Sequence, residues 1–380
     1  MTAAPDREVP VKAVVCGTTF GQVYLEAFRS PDLPVQLAGI LAQGSERSRA
    51  CARRYGVPLY RNTDELPADI RIACIVVRGG LLGGRGTELA QRLMARGIHV
   101  LQEFPVHHDE LADCLRGARR NRVVYRLNSF YPHLAPVRRF LAATRRLFAL
   151  QPPRYVDAAC GFQVGYAMLD IIGIALGQVR PWAFSHGTFP DQAAQRRAGF
   201  HSLDGVFAGV PLTLRLQNQL DPVDPDNYLH LLHRITFGTD GGDLMLVTPH
   251  GPVLWTARPQ IPRQVRDPVA EPLYSAYGFG TTEPTTAFLG PANAPSHRAI
   301  YGSVWPEGVR HAVRQLHSAI MVNEDPLHVG QYHLALCRMW QDITTRLGRP
   351  ELSPGTALQP LTAGDLMTVA AAYDAAEGDI

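Results

Sequence analysis

Two short motifs carry side chains suited to acid and base chemistry. Glu103 lies in Leu-Gln-Glu-Phe-Pro at 101–105, and Tyr131 and His133 lie in Asn-Ser-Phe-Tyr-Pro-His at 128–133. Each motif follows an apolar run of β-strand character, and a parallel nucleotide-binding sheet carries its chemistry at the strand ends. A phenol with the usual pKa of about 10 stays protonated at neutral pH and can donate a proton. Tyr131 is therefore predicted to be the leading proton donor.

Other roles stay open for these side chains. Tyr131 could instead stack on a substrate or pack at a domain junction. His107 and His133 are reserve donors that could relay a proton through water, although a lone histidine near a strand end is more often a satisfied structural group. Asp170, a single acid in an apolar helical stretch, could orient a donor or anchor its helix, and anchoring is favoured.

The elements that would position these residues alternate along residues 1–127. Strands are predicted at residues 11–16, 35–41, 72–77, 99–104 and 123–130, and helices at residues 22–29, 46–55, 86–96 and 109–121. The strand segments are continuously apolar, as strands covered on both faces are. Alternation of this kind predicts an α/β fold, with a Rossmann domain built on a doubly wound parallel sheet.

The first strand-to-helix turn reads Cys-Gly-Thr-Thr-Phe-Gly at 16–21. A dinucleotide site favours Gly-x-Gly-x-x-Gly there, because the glycines permit a tight turn and close approach of the pyrophosphate to the helix N-terminus. A plain tight turn would give similar letters, but the place after the first strand favours a dinucleotide. We therefore predict that Gly17, Thr18, Thr19, Phe20 and Gly21 bind the cofactor.

The end of the second strand distinguishes the nicotinamide cofactors, because an acid there normally holds the ribose hydroxyls of NAD. The chain reads Leu-Ala-Gln-Gly-Ser-Glu-Arg-Ser at 41–48, with no acid at the strand end. Ser45, Arg47 and Ser48 offer hydroxyl, guanidinium and N-cap donors suited to a phosphate. A serine N-cap with Glu46 in the first helical turn is the plain alternative, and both can hold together. The pattern favours NADPH.

Residues 128–380 are predicted to form an α+β domain with an open, largely antiparallel sheet. Helices are predicted at residues 133–148, 164–176, 311–321 and 327–346, and strands at residues 155–160, 212–220, 231–237 and 243–247. Asp-Gly-Gly at 240–242 is typical of a hairpin turn, and residues 256–295 look irregular and rich in proline. We expect helices to cover one sheet face and a partner subunit to cover the other, giving a homodimer.

Composition excludes several classes of protein. The 37 Lys and Arg nearly balance the 34 Asp and Glu, which argues against a nucleic-acid partner. The six cysteines are widely spaced, which disfavours structural zinc and dense disulfides. The polar first ten residues do not resemble a signal peptide, and no apolar run reaches the length of a membrane span. A reduced, cytoplasmic enzyme without a metal is expected.

Together the motifs resemble the Gfo/Idh/MocA oxidoreductase superfamily and, within it, the thiazolinyl imine reductases of siderophore biosynthesis. The resemblance rests on the segments 16–21, 41–48, Ile-Ala-Cys-Ile-Val-Val-Arg at 72–78, Gly-Ile-His-Val-Leu-Gln-Glu at 97–103, Phe-Tyr-Pro-His at 130–133, and Met-Leu-Asp at 168–170. It implies reduction of a thiazoline C=N bond to thiazolidine by hydride from NADPH. It also implies a substrate tethered by phosphopantetheine to a carrier domain of a nonribosomal peptide synthetase.

The resemblance adds further cofactor contacts. It implies that Glu103 lies near the nicotinamide ribose, although this acid could instead only cap the backbone. Arg78, at the end of the third predicted strand, could approach the pyrophosphate or merely cap the sheet. Gln43 and Gly44 complete the predicted cofactor site.

Two departures from the superfamily bear on the chemistry. Sugar-active members carry Lys, and the thiazolinyl imine reductases carry His, at the position of Phe104. Sugar-active members also carry a His where this chain has Ala167. Without these groups, polyol oxidation, which needs a base on the hydroxyl, is disfavoured, whereas imine reduction can proceed with a weaker proton donor.

The prediction is therefore an NADPH-dependent thiazolinyl imine reductase. Two other functions stay open: an NAD(P)-dependent oxidoreductase of a small sugar-like substrate, and a catalytically silent NADP-binding regulator.

Overall fold

The first part of the chain forms a six-stranded parallel sheet with the strand order β3-β2-β1-β4-β5-β6. The computed structural model describes residues 10–79, 84–187, 199–224, 228–259, 284–353 and 361–368. The strands are β1 (Val11–Cys16), β2 (Val35–Leu41), β3 (Leu59–Tyr60), β4 (Ile70–Ile75), β5 (His99–Glu103) and β6 (Tyr125–Asn128). The helices between them are α1 (Gly21–Ala27), α2 (Glu46–Tyr55), α3 (Gly86–Ala95) and α4 (His108–Arg120). The predicted Rossmann architecture is confirmed.

Three details of this sheet differ from the prediction. Strand β3 has only two residues, too few to give a pattern, so the sheet has six strands rather than five. Strand β4 begins and ends two residues before the predicted 72–77. Strand β6 ends at Asn128 instead of residue 130, because Phe130 has φ +68°, which an extended strand does not allow.

The second part of the chain carries a mixed, mostly antiparallel eight-stranded sheet with the order β15-β14-β13-β12-β7-β10-β9-β8. Its strands, with the short β11 and β16, are β7 (Tyr155–Gly161), β8 (Trp182–His186), β9 (Phe200–Phe207), β10 (Val210–Gln217), β11 (Gln219–Leu220), β12 (His233–Thr239), β13 (Gly242–Leu246), β14 (Val253–Ala257), β15 (Thr286–Phe288) and β16 (Glu351–Leu352). Only β7 and β10 pair in parallel within the eight-stranded sheet, and β11 pairs with β16 separately.

Four long helices accompany this sheet: α5 (Ala135–Leu150), α6 (Gly165–Leu176), α7 (Trp305–Met321) and α8 (Pro326–Leu347). Helices α5 and α6 pack on one sheet face, where the side chains of Val156, Leu212 and Leu214 are buried. On the opposite face the side chains of Asp157 and Thr213 are exposed. Helices α7 and α8 return to the parallel sheet, where they pack against α1 and α4.

Several predictions for the second part need correction. Strands β8, β9, β14 and β15 were not predicted, and β14 and β15 extend into the segment 256–295, of which residues 260–283 lie outside the described residues. Helix α7 begins at Trp305 rather than residue 311, because Pro306 suits a first helical turn. It follows a single turn at His297–Ala299 and a π-helix at Ile300–Val304.

All six cysteines are unpaired and buried. Burial raises the pKa of the thiols of Cys16, Cys114 and Cys337 to about 12. In the part of the chain that the structure describes, no helix has both the length and the apolar character of a membrane span.

Candidate active site

The turn after β1 contains a glycine that no other residue could replace without strain. Gly17 has φ +99°, and its amide donates to the Leu41 carbonyl at 3.0 Å. A Cβ at this position would lie 2.6 Å from the Val76 carbonyl oxygen. Thr18 is buried beside it, and α1 begins at Gly21. The absence of a Cβ therefore lets the backbone turn tightly against the residues that follow β4, as the glycine turn of a dinucleotide site does.

A cluster of three arginines surrounds the turn between β2 and α2. Arg47 donates to the Thr19 hydroxyl at 3.0 Å, and Arg49 donates to the Gly44 carbonyl. Arg61 lies next to the same glycine: a Cβ atom added at Gly44 would be 3.3 Å from Arg61 Nε. We call Arg47, Arg49 and Arg61 the arginine cluster. Its guanidinium groups converge at the strand end where NAD-binding folds normally place a carboxylate.

The other predicted residues of this turn have plainer environments. The Ser45 hydroxyl caps α2 by accepting the Ser48 amide at 3.2 Å, so the serine N-cap coexists with the arginine cluster. Ser48 is fully buried, and Gln43 is exposed. Arg78 is also exposed, after β4, and its carbonyl accepts the Gly86 amide at 2.9 Å.

Glu103 is held in a buried network at the end of β5. Its Oε2 accepts the Tyr24 hydroxyl and, at 3.1 Å, the Asn128 amide Nδ2. Burial raises the pKa of the Glu103 carboxyl to about 8, although both hydrogen bonds lower it. The carboxyl is therefore mostly protonated at neutral pH. The predicted ribose contact remains a prediction, since Oε2 is directed to neighbours within the protein.

This shifted pKa predicts a stability difference that changes with pH. From the ordinary carboxyl pKa of 4.5 up to about 8, unfolded Glu103 loses its proton while the folded form keeps it, so stability falls as the pH rises. Glu103→Gln keeps a side-chain oxygen that can accept a hydrogen bond, but it cannot ionise, so the fall in stability that Glu103 causes is absent. Its melting temperature relative to wild type should therefore rise between pH 5 and pH 8, by about 2 °C or more. Thermal unfolding across this range measures the effect, with the exposed Glu46→Gln as control, and a constant difference would contradict it.

Tyr131 is presented by a strained turn after β6. Phe130 has φ +68° and ψ −62°, and the Tyr131 amide donates to the Ser129 carbonyl at 2.9 Å, which defines a γ-turn. Such a conformation costs about 1–3 kcal/mol and is often found at functional sites. The Asn128 side chain supports the turn by accepting the Phe130 amide at 2.9 Å.

A histidine that the sequence did not indicate packs against Tyr131. The His233 ring, on β12, meets the Tyr131 ring edge to face with centroids 4.4 Å apart. Its Nε2 donates to the Val164 carbonyl at 2.9 Å, since a carbonyl can only accept. This bond fixes the tautomer and leaves Nδ1 as a buried acceptor with no partner among the described residues. Burial lowers the pKa of His233 to about 4, so the ring is neutral.

Aromatic rings form the rest of this region. Phe104 stacks on Tyr166 with centroids 3.9 Å apart and planes 8° apart. On another side, Phe20 meets Phe130 at 5.1 Å and Trp305 at 5.7 Å, both edge to face. Phe104 is thus a stacked, uncharged ring, which can neither donate nor accept a proton.

The two reserve proton donors have other partners. His107 caps α4, where its Nδ1 accepts the Asp109 amide at 3.3 Å. His133 Nδ1 lies 3.0 Å from His311 Nδ1, and burial, with His311, lowers the pKa of His133 to about 3. His133 lines a cleft of about 340 Å³ that also includes Asp170. These contacts favour structural roles for both rings.

The sequence contains a signal for the capping role of His107 but none for the positions of Arg49, Arg61 and His233. Asp109 and Glu110, two and three residues after His107, mark a helix start, so the capping role of His107 had a local signal. Arg49, Arg61 and His233 belong to no recognisable motif. His233 meets Tyr131 only because β12 packs against the turn that follows β6.

Comparisons with known proteins agree with this arrangement. Residues 11–129 match the family model GFO_IDH_MocA, an oxidoreductase family with an NAD-binding Rossmann fold. Residues 151–256 match the model of the C-terminal domain of Irp3-like thiazolinyl imine reductases. No curated protein matches the chain by sequence.

Solved structures of similar fold include several oxidoreductases. An oxidoreductase from Agrobacterium radiobacter, in complex with NAD+, L-tartaric acid and magnesium, has a TM-score of 0.62 and 12% identity, covering 88% of this chain and 95% of its own. UDP-N-acetylglucosamine 3-dehydrogenase GnnA from Acidithiobacillus ferrooxidans has a TM-score of 0.61 and 12% sequence identity, and the match covers 89% of this chain and 98% of GnnA. The 3-ketoreductase KijD10 from Actinomadura kijaniata, in complex with TDP-benzene and NADP, has a TM-score of 0.60 and 15% sequence identity. The match covers 90% of this chain and 99% of KijD10. At these identities the similarity shows the fold alone.

Proposed function

Because the chain belongs to the Gfo/Idh/MocA oxidoreductases and carries an Irp3-like C-terminal domain, we propose that it is an NADPH-dependent thiazolinyl imine reductase. The substrate is a thiazoline held by phosphopantetheine on a carrier domain of a nonribosomal peptide synthetase, and the product is the thiazolidine. The observation that carries this proposal is the Phe104–Tyr166 stack. It replaces the base that polyol oxidation needs with an apolar surface suited to a flat heterocycle.

The residues around the first two strand ends fit NADPH. Gly17 allows the tight turn between β1 and α1, because a Cβ there would collide with the Val76 carbonyl oxygen, and such a turn is what a pyrophosphate-binding loop requires. The arginine cluster offers several guanidinium donors to the additional phosphate of NADP, and Arg47 already bridges to Thr19 on the glycine turn. When bound, NADPH supplies the hydride that reduces the C=N carbon.

Tyr131 supplies the proton to the ring nitrogen. Its phenol is a weak acid, which suffices when the accepting nitrogen gains basicity as hydride reaches the neighbouring carbon. The neutral His233 ring packs against the phenol ring. Phe20, Phe130 and Trp305 reduce the access of water to this region.

Two partners belong to the proposal. The carrier domain brings the substrate, so the thiazoline is bound as a thioester rather than as a free acid. A second copy of the chain covers the eight-stranded sheet on the face opposite α5 and α6, where Thr213 and Arg215 are exposed. Light scattering of the purified protein measures the mass of this homodimer.

Oxidation of NADPH in the presence of a thiazoline thioester tests the proposal. We expect loss of the absorbance of the reduced nicotinamide, dependent on the thioester, together with formation of the thiazolidine. Turnover of a simple polyol in place of the thiazoline would indicate a sugar-type dehydrogenase. Tight NADPH binding without turnover of either compound would contradict the reductase and indicate a regulator.

A further inference from the structure

A buried carboxylate on α6 is connected to the turn that presents Tyr131. Asp170 is 3% exposed, and its Oδ2 accepts the Ser129 hydroxyl. Its Oδ1 accepts the Tyr332 hydroxyl from α8 at 2.7 Å. Both carboxylate oxygens are thus used by neutral donors, one from the turn and one from a distant helix.

Ser129 transmits this contact to Tyr131. The same residue that donates its hydroxyl to Asp170 accepts the Tyr131 amide through its carbonyl at 2.9 Å. The strained residue Phe130 stands between them, and a strained turn persists only when its surroundings hold it. On the other side, the Asn128 side chain accepts the Phe130 amide and donates to Glu103. The turn is therefore held by two side-chain contacts, one made by Asn128 and one made by Ser129.

We propose that Asp170 is a positioning residue for Tyr131, acting through Ser129 and the γ-turn, with Tyr332 fixing the carboxylate. The inference rests on the proposed role of Tyr131 as proton donor. The alternative is that Asp170 only anchors α6 among its neighbours. A purely anchoring carboxylate would affect folding and stability but would not act through Tyr131.

The first test does not depend on activity. A 3-fluorotyrosine incorporated at position 131 reports the environment and mobility of that ring by ¹⁹F NMR. Asp170→Asn retains the side-chain shape, but its NH₂ group cannot accept, so one of the two hydroxyl donors loses its partner. We expect a shifted or broadened resonance in Asp170→Asn and an unchanged one in Asp32→Asn, an exposed control in the loop before β2. An unchanged resonance in Asp170→Asn overturns the proposal.

The second test is a double-mutant cycle on thiazoline reduction. Asp170→Asn should lower kcat roughly 10- to 100-fold, the size expected for one charge-assisted hydrogen bond, with little change in the Kd of NADPH. Combined with Tyr131→Phe, it should cause no further loss. Independent, additive losses would mean that Asp170 does not act through Tyr131, which overturns this proposal while leaving Tyr131 as donor. A Tyr131→Phe variant as active as wild type would overturn both.

If Asp170→Asn does not fold, Ser129→Ala takes its place in the double-mutant cycle with Tyr131→Phe. It removes only the hydroxyl that connects the carboxylate to the turn. The same loss of kcat, again absent in the Tyr131→Phe background, supports the proposal. Unchanged kcat in Ser129→Ala overturns it.

Discussion

Tyr131→Phe should lower kcat for thiazoline reduction about 100- to 1000-fold and leave the Kd of NADPH nearly unchanged. This is the range expected when a positioned proton donor is removed. The ring contacts with Phe130 and His233 do not involve the hydroxyl proton, so the variant should retain the packing of the turn. Steady-state kinetics with a thiazoline thioester, together with NADPH titration by fluorescence, measure the two quantities.

Tyr155→Phe is the matched control, because it removes a hydroxyl at the outer end of β7 that contacts Asp243. It should leave kcat within about twofold of wild type. An equal loss in both variants, or none in Tyr131→Phe, would remove Tyr131 from the mechanism.

Arg47→Ala should weaken NADPH binding about 10- to 100-fold and change NADH binding by no more than about twofold. A charge-assisted hydrogen bond to a phosphate is worth about 1.5–3 kcal/mol, and only NADPH carries the additional phosphate. Arg49 and Arg61 remain in the variant, so binding should be weakened rather than abolished. Titration of both cofactors with each variant gives the two dissociation constants.

Arg53→Ala removes the same charge from the last turn of α2 and serves as the control. Arg53→Ala should change the dissociation constants of NADPH and NADH equally or not at all. If Arg47→Ala weakens NADPH and NADH equally, Arg47 does not bind the phosphate, and the preference for NADPH loses its main support.

The sequence predicted the parallel sheet because its strands are buried on both faces and are therefore continuously apolar. Strand β2 and helix α2 match their predicted ends. The end of β6 could not be predicted, since a single residue with positive φ leaves no compositional signal when it is Phe rather than Gly. Two-residue strands such as β3 fail for a related reason, because they are too short to show a period.

Only the local parts of the candidate site could be predicted. The glycine turn, Arg47 and the unusual Phe104 were evident from sequence position. Arg61 reaches Gly44 only because β3 lies beside β2, and His233 reaches Tyr131 only because the two parts of the chain pack together. Contacts of this kind depend on the tertiary structure and not on the spacing of residues along the chain.

The burial of all six thiols makes this protein suited to selective labelling. Because each native cysteine is buried, we expect a maleimide to react with the folded protein much more slowly than with an exposed thiol. A cysteine introduced at a chosen surface position becomes the most reactive thiol, and an added oxidant can couple it by a disulfide to the pantetheine thiol of a carrier domain. A series of such positions would test where the proposed carrier domain docks, without any native cysteine having to be removed.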